Sequence, residues 1–166
     1  MITPSGNGRI SDMYDMGDEF SLEIHCPGTT RILSHIRPFI CSIARDMGFS
    51  DEEIAQIEIS VDEACSNVLS HAYGNSLPGD YRFDFQPSYQ IRIALKVAKD
   101  HLQITINDFG VGNKKGPHVG VRNLEEYAQK GHGLGTYIIK KFMDKVEISY
   151  PEDSGTQVSM VKFLSR

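Results

Sequence analysis

The sequence has few cysteines, and their arrangement excludes several kinds of site. Cys26, Cys41 and Cys65 form no CxxC pair and no cluster typical of a metal site. Their odd number argues against a framework of disulfide bonds and favours the reducing environment of the cytoplasm. We therefore expect three small apolar residues that are buried or half-buried in the core.

Long hydrophobic runs and an excess of basic charge are also missing. No apolar stretch approaches the roughly 20 residues that a membrane-spanning helix needs, and the N-terminus lacks the charged-then-apolar order of a signal peptide. The formal net charge of −5 argues against a broad nucleic-acid-binding surface. We therefore expect no direct contact with a membrane or with nucleic acid.

The composition is that of an ordinary globular domain. The chain has 166 residues, of which 40% are hydrophobic and 23% are charged, which suits one domain with a real core. Residues 1–17 are rich in Gly, Ser, Pro and Asp, so we expect a mobile leader there. A single domain would then span residues 18–166.

Hydrophobic periodicity predicts the elements of this domain. In chain order they are a strand at 19–26, a helix from Thr29 or Thr30 to Gly48, a helix at 50–74, two strands joined at Lys99-Asp100, a short helix around 121–130, a helix at 133–145, and two strands at 146–150 and 156–164. Ser50 with Glu53 matches a capping box. This order favours an α+β fold: a two-layer sandwich whose mixed, mostly antiparallel sheet is covered on one face by helices.

Asp108 is the first candidate for a functional residue. It continues the inward register of Leu102, Ile104 and Ile106, because strand side chains alternate with period two. A buried carboxylate needs a donor, and the exocyclic amine of adenine would serve. The alternative is that the strand has ended and Asp108 caps a turn.

Glycines form two short patterns that could approach phosphate. Gly110 and Gly112 follow Asp108, and Gly131, Gly133 and Gly135 precede a helix. Glycine allows close backbone approach, and a helix N-terminus attracts anions. The pattern is neither GxxxxGK[ST] nor a GxGxxG within a βαβ unit, so it indicates neither a P-loop nor a dinucleotide fold.

Glu63 and Asn67 lie four residues apart and therefore share one face of a helix. A carboxylate and a carboxamide at this spacing could hold magnesium with the phosphates of a nucleotide, or let Glu63 position a hydroxyl group. The alternative is an ordinary solvated helix face. Thr156, after Gly155, could hydrogen-bond a base or a water, or could simply begin the last strand.

Together these residues resemble the motifs of the GHKL ATPase superfamily, which has the Bergerat or histidine-kinase-like ATPase fold. Glu63-x-x-x-Asn67 is similar to its N box, Asp108-x-Gly110-x-Gly112 to its G1 box, and Gly131-x-Gly133-x-Gly135 to its G2 box. Thr156 matches the threonine of its GT pair. The stretches "SVDEACSNVLSHAYG" and "GLGTYIIKKFMDKVEISYPEDSGTQVSM" most resemble the bacterial anti-sigma-factor serine/threonine kinases of the RsbW and SpoIIAB type.

The resemblance implies an activity and a set of roles. It implies that Asp108 accepts from adenine, that Asn67 binds Mg²⁺, and that Glu63 is the catalytic base toward a serine of a protein substrate. The remaining nucleotide-binding positions that it implies are Gly110, Gly112, Gly131, His132, Gly133, Leu134, Gly135, Thr136 and Thr156. Lys130 is a further candidate for a phosphate contact, as is His132.

The resemblance also implies partners. An anti-sigma kinase binds ATP and Mg²⁺, sequesters a sigma factor, phosphorylates an anti-anti-sigma protein of the STAS type, and forms a homodimer. Arg31, Arg37 and Arg45 on the first long helix could contact an acidic partner. Two alternatives stay open: a nucleotide-binding protein that sequesters its partner without significant kinase activity, and a GHKL ATPase module of another signalling assembly.

Overall fold

The computed structural model describes residues 19–73, 90–109, 134–151 and 155–165. The elements in chain order are β1 (Glu19–Pro27), α1 (Thr30–Met47), α2 (Asp51–Tyr73), β2 (Gln90–Ala98), β3 (His101–Asp108), α3 (Leu134–Phe142), β4 (Lys145–Ser149) and β5 (Gln157–Phe163). They agree in order and type with the elements that periodicity predicts. The short helix expected around 121–130 lies outside the described residues.

The five strands form one sheet in the order β1-β2-β3-β5-β4. All four pairings between these strands are antiparallel. The β2–β3 pair is the hairpin expected around Lys99-Asp100, whereas β5 inserts between β3 and β4. This order makes β3 the central strand, with β2 and β5 on its two sides.

One face of the sheet supplies half of the core. Its fully buried side chains alternate along the three inner strands, as the period of two requires. They are Ile91, Ile93, Leu95 and Val97 of β2, Leu102, Ile104 and Ile106 of β3, and Val158 and Met160 of β5. The other half of the core comes from α1, α2 and α3, so the two-layer α+β sandwich is confirmed.

Local sequence signals set where the helices begin and end. The Thr29 hydroxyl accepts from Ile32 N at 3.3 Å at the start of α1, and Gly48 ends α1 in the left-handed region with φ 96°. At the start of α2, Glu53 Oε2 accepts from Ser50 N at 2.8 Å, and Ser50 Oγ accepts from Glu53 N at 3.3 Å. This reciprocal pair is the predicted capping box.

A buried lysine joins the helical layer to the sheet. Lys162 lies on the core-facing side of β5, and its Nζ donates to Gln56 Oε1 of α2 at 2.8 Å and to the Phe142 carbonyl of α3 at 2.7 Å. Phe142 is the last residue of α3, where the helix dipole favours a cation. Lys162 therefore anchors the end of α3 between α2 and β5. No helix within the described ranges is long and apolar enough to cross a membrane.

Candidate functional site

Asp108 ends the core-facing row of β3 and is fully buried. Its Oδ2 accepts from Thr156 N at 2.8 Å, and its own N–H donates to the Thr156 carbonyl at 3.2 Å. A charge-assisted bond of this kind offsets part of the cost of burying a carboxylate. The expected inward register of Asp108 is thus confirmed. The strand does end at Asp108, but its carboxylate is buried and accepts from Thr156 at the start of the neighbouring strand β5.

Gly155 lies directly against the Asp108 carboxylate. A Cβ atom at position 155 would overlap Asp108 Oδ1 and come within 2.7 Å of Oδ2. The residue before Thr156 must therefore be glycine if the Thr156 N–H is to reach Asp108. A contact of the Thr156 side chain with a base or a water stays a prediction, whereas the backbone N–H of Thr156 holds Asp108.

Glu63 and Asn67 meet the first turn of α3. A Cβ atom on Gly135 would overlap Glu63 Oε2 and lie 3.3 Å from both Asn67 Oδ1 and Asn67 Nδ2. Glu63 and Asn67 are half-buried and Gly135 is buried, so the alternative of an ordinary solvated helix face is wrong for this pair. A side chain at position 135 would therefore displace the Glu63 carboxylate.

The N-terminus of α3 provides a partly positive environment beside this pair. Leu134, Gly135 and Thr136 form its first turn, whose backbone N–H groups have no partner within the helix. The first turn carries no acidic residue, whereas Lys140 and Lys141 lie in the last turn. The positive end of the helix dipole therefore points toward the Glu63–Asn67 pair, and an anion such as phosphate would be stabilised there.

The two groups of residues are connected through α2, which packs against β3, β5 and α3. The structure thus brings Glu63 and Asn67 together with Gly135, which lies between Leu134 and Thr136 in the first turn of α3, and separately joins Asp108 to Thr156. The other expected nucleotide-binding residues, namely Gly110, Gly112, Lys130, Gly131, His132 and Gly133, lie outside the described residues.

The residues present fit a nucleotide and a magnesium ion chemically. A buried carboxylate is an acceptor for an amine, a helix N-terminus is a donor set for phosphate, and a carboxamide oxygen is a ligand that Mg²⁺ accepts. Magnesium usually keeps several waters and takes further oxygens from substrate phosphates. A single amide ligand from α2 is therefore compatible with such a site.

The cysteines are part of the core and not of the site chemistry. All three are free and buried. Cys65 lies between Glu63 and Asn67 in the sequence but faces the core, where burial and then the negative charge of Asp62 raise the pKa of its thiol to about 12. The thiol stays protonated at neutral pH and is a poor nucleophile, as the sequence indicated.

Some relevant contacts were missed from the sequence. Arg37 pairs with Asp62 at 2.8 Å within the chain, so its charge is already balanced by α2. Sequence pattern alone does not indicate that Gly155 contacts the Asp108 carboxylate or that Asn107 is buried. The one sequence feature that points to Gly155 is its place before a threonine at the start of a strand.

Comparisons with known proteins find related sequences over most of the chain. A family model described as a histidine kinase-like ATPase domain matches residues 26–162. The serine-protein kinase RsbW of Bacillus licheniformis is 30% identical over 152 residues, covering 87% of this chain and 86% of that protein. The serine-protein kinase RsbW of Bacillus cereus strain Q1 is 28% identical with the same coverage.

A solved structure shows the same fold at low sequence identity. The crystal structure of the SiaB–SiaC complex from Pseudomonas aeruginosa contains a chain that superposes with a TM-score of 0.62. The match covers 92% of this chain and 94% of that chain, at 15% identity. At that identity the likeness concerns the fold alone.

Proposed function

The chain belongs to the histidine kinase-like ATPase family, and from that premise we propose that it is an ATP- and magnesium-dependent protein-serine kinase of the anti-sigma type. The observation that carries the proposal is the position of Gly135, which places Glu63 and Asn67 at the N-terminus of α3. Its relatives among the serine-protein kinases support the choice of reaction.

The nucleotide would be held at two places. Asp108, fixed by the Thr156 N–H, accepts from the amino group of adenine. The N–H groups in the first turn of α3 donate to phosphate oxygens. Asn67 would hold Mg²⁺, which when bound supplies charge neutralisation for the transferring phosphoryl group.

Glu63 is the residue assigned to proton transfer. Its carboxylate accepts the hydroxyl proton of the substrate serine, while the serine oxygen attacks the γ-phosphorus and the bond from that phosphorus to the β–γ bridging oxygen breaks. The products are phosphoserine and ADP, and the proton stays on Glu63 until solvent removes it. Because phosphoryl transfer depends mainly on positioning, the contact of Glu63 with Gly135 has a direct role: it fixes the carboxylate beside the phosphate-binding helix end.

The proposed substrate is a serine of a small STAS-type anti-anti-sigma protein, and the proposed sequestered partner is a sigma factor. Incubating the protein with ATP, Mg²⁺ and such a substrate, followed by mass spectrometry, should show phosphoserine. Glu63→Gln, which keeps the size of the side chain, should lower the rate at least about 100-fold, within the usual range for a general base. Glu58→Gln, on an exposed position of the same helix, is the matched control and should leave the rate unchanged.

The outcomes separate this proposal from its rivals. If Glu63→Gln transferred phosphate at the wild-type rate, Glu63 would not be the catalytic base. ATP binding and partner capture without any phosphoserine would instead support a sequestering protein, and capture of proteins unrelated to sigma factors would support an ATPase module of another assembly. We also expect the protein to be cytoplasmic and to form a homodimer. Light scattering after size-exclusion chromatography would detect the dimer.

A further inference from the structure

A row of polar side chains lies on the face of the sheet that points away from the helices, directly behind Asp108 and Thr156. We call Arg92, Asn107 and Gln157 the outer row. They are register partners across β2, β3 and β5. Asn107 Nδ2 donates to Gln157 Oε1 at 2.8 Å, and Arg92 Nη2 donates to Asn107 Oδ1 at 3.4 Å.

Asn107 is unusual within this row because it is only 2% exposed, although it lies on the outer face. Both ends of its amide are engaged, one by Gln157 and one by Arg92. Asparagine is depleted in strands, where β-branched and aromatic residues pack better. A buried asparagine in the central strand therefore needs a reason beyond strand formation.

The chain order connects this residue to the site. Asn107 immediately precedes Asp108 on β3, and Gln157 immediately follows Thr156 on β5. The ends of β3 and β5 are thus joined on both faces of the sheet: by Asn107 and Gln157 on the outer face, and by Asp108 and Thr156 on the core face.

We propose that Asn107 is a positioning residue for nucleotide recognition. Through its bond to Gln157 it fixes the end of β3 against β5, and it thereby holds the Asp108 carboxylate where it accepts from the adenine amine. Loss of the outer bond would free the strand ends to shift, and hydrogen bonds weaken steeply as their distance and angle depart from the optimum. The inference rests on the proposed function, because it assumes that the site binds ATP through Asp108.

The test compares two nucleotides on matched variants. ATP carries the amino group at position 6 of the base, whereas inosine triphosphate carries a carbonyl oxygen there, so the ratio of their dissociation constants reports the Asp108 contact. Asn107→Ala should weaken ATP binding about tenfold, the effect of one well-placed hydrogen bond, with little change for inosine triphosphate. Isothermal titration calorimetry measures both constants.

The control is a second bond between the same two strands. Gln103 Nε2 donates to Ser159 Oγ at 3.1 Å, on the same outer face but further from Asp108. Gln103→Ala should lower the melting temperature by a similar amount and leave the nucleotide ratio unchanged. The double variant Asn107→Gln/Gln157→Asn, which exchanges the two amides and keeps their combined length, should restore the ratio.

Each outcome decides a different claim. A wild-type protein that binds neither nucleotide, or binds both equally, would overturn the proposed adenine site and this inference with it. A wild-type protein that prefers ATP, together with an Asn107→Ala variant that keeps the same preference, would overturn the inference alone. Loss of preference in both Asn107→Ala and Gln103→Ala would also overturn it, because the effect would then be general loosening of the sheet.

Discussion

Gly135 of α3 touches the Glu63 carboxylate of α2 at a distance that leaves no room for a Cβ atom. The contact gives a reason for glycine at position 135, because any other residue would place a Cβ atom against the Glu63 carboxylate. It also links the contact between α3 and α2 to the proposed chemistry, because the carboxylate of Glu63 that Gly135 touches is the proposed proton acceptor.

The first prediction concerns this contact. Gly135→Ala should displace the Glu63 carboxylate or push α3 away from α2, and phosphate transfer should fall at least about tenfold, because small misplacements in a catalytic site are costly. A transfer assay with radiolabelled ATP measures the effect.

Gly48→Ala is the matched control for that substitution. Gly48 has a positive φ, and apart from its chain neighbours no residue has an atom within 4 Å of the position that a Cβ atom would occupy there. Alanine at this position should therefore cost stability, about 1 kcal/mol, without affecting transfer. If Gly135→Ala transferred phosphate at the wild-type rate, the reaction would not depend on the present position of the Glu63 carboxylate.

The second prediction concerns how Asp108 recognises the adenine ring of ATP. In Asp108→Asn the side chain keeps one acceptor oxygen, and the Thr156 N–H already bonds to an oxygen of this side chain. The amide nitrogen would then face the adenine amine, so ATP affinity should fall about tenfold. Inosine triphosphate, whose carbonyl can accept from that nitrogen, should bind better to the variant than to the wild type. Competition binding measures both changes, and unchanged ATP affinity would end the adenine role of Asp108.

The third prediction concerns the buried lysine. Lys162→Met keeps the apolar stem but leaves the Phe142 carbonyl and Gln56 without their charged donor, so the free energy of unfolding should fall by about 1–3 kcal/mol. Denaturation in urea measures the loss. Lys99→Met, at an exposed position of the β2–β3 turn, should change stability by less than about 0.5 kcal/mol, and an equal loss in both variants would contradict the anchoring role.

The fourth prediction concerns pH. Burial raises the pKa of Glu53, but hydrogen bonds from Ser165 and Ser50 outweigh it and lower the pKa to about 2. The folded pKa lies below the unfolded value of about 4.3, so ionised Glu53 favours folding. This contribution is present above about pH 5 and is lost as the pH falls toward 2.

Thermal melting of Glu53→Gln as a function of pH tests this contribution. The gap in melting temperature between the wild type and Glu53→Gln should be largest near neutral pH and should close toward pH 2. Glu52→Gln, one position earlier in the first turn of α2, is the matched control. A gap independent of pH would show that the Glu53 charge contributes nothing to the capping box.

Local sequence signals predicted the elements well. The Ser50–Glu53 box, the alternation of β2 and β3, and the inward register of Asp108 all depend on residues close together in the chain. The spacing of Glu63 and Asn67 likewise placed them on one face of α2 without knowledge of the fold.

The contacts that complete the site could not be predicted in this way. Asp108 and Thr156 are 48 residues apart, and Asn107 and Gln157 are 50 apart, so these pairs depend on β5 inserting beside β3. The partner of Gly135 depends on the packing of α3 along α2. Periodicity shows which face of a strand or helix is buried, but not which neighbour covers it.

The separation between Asp108 and Thr156 in the chain has a consequence for folding. Contacts between distant parts of the chain form late, because the entropy of closing the intervening loop must be overcome first. A ligand that needs this pair binds only molecules in which β5 has already docked, and it adds RT ln(1 + [L]/Kd) to the free energy of unfolding. If that ligand is ATP, as proposed, a fall in nucleotide concentration would lower the stability of the folded protein as well as the occupancy of the site.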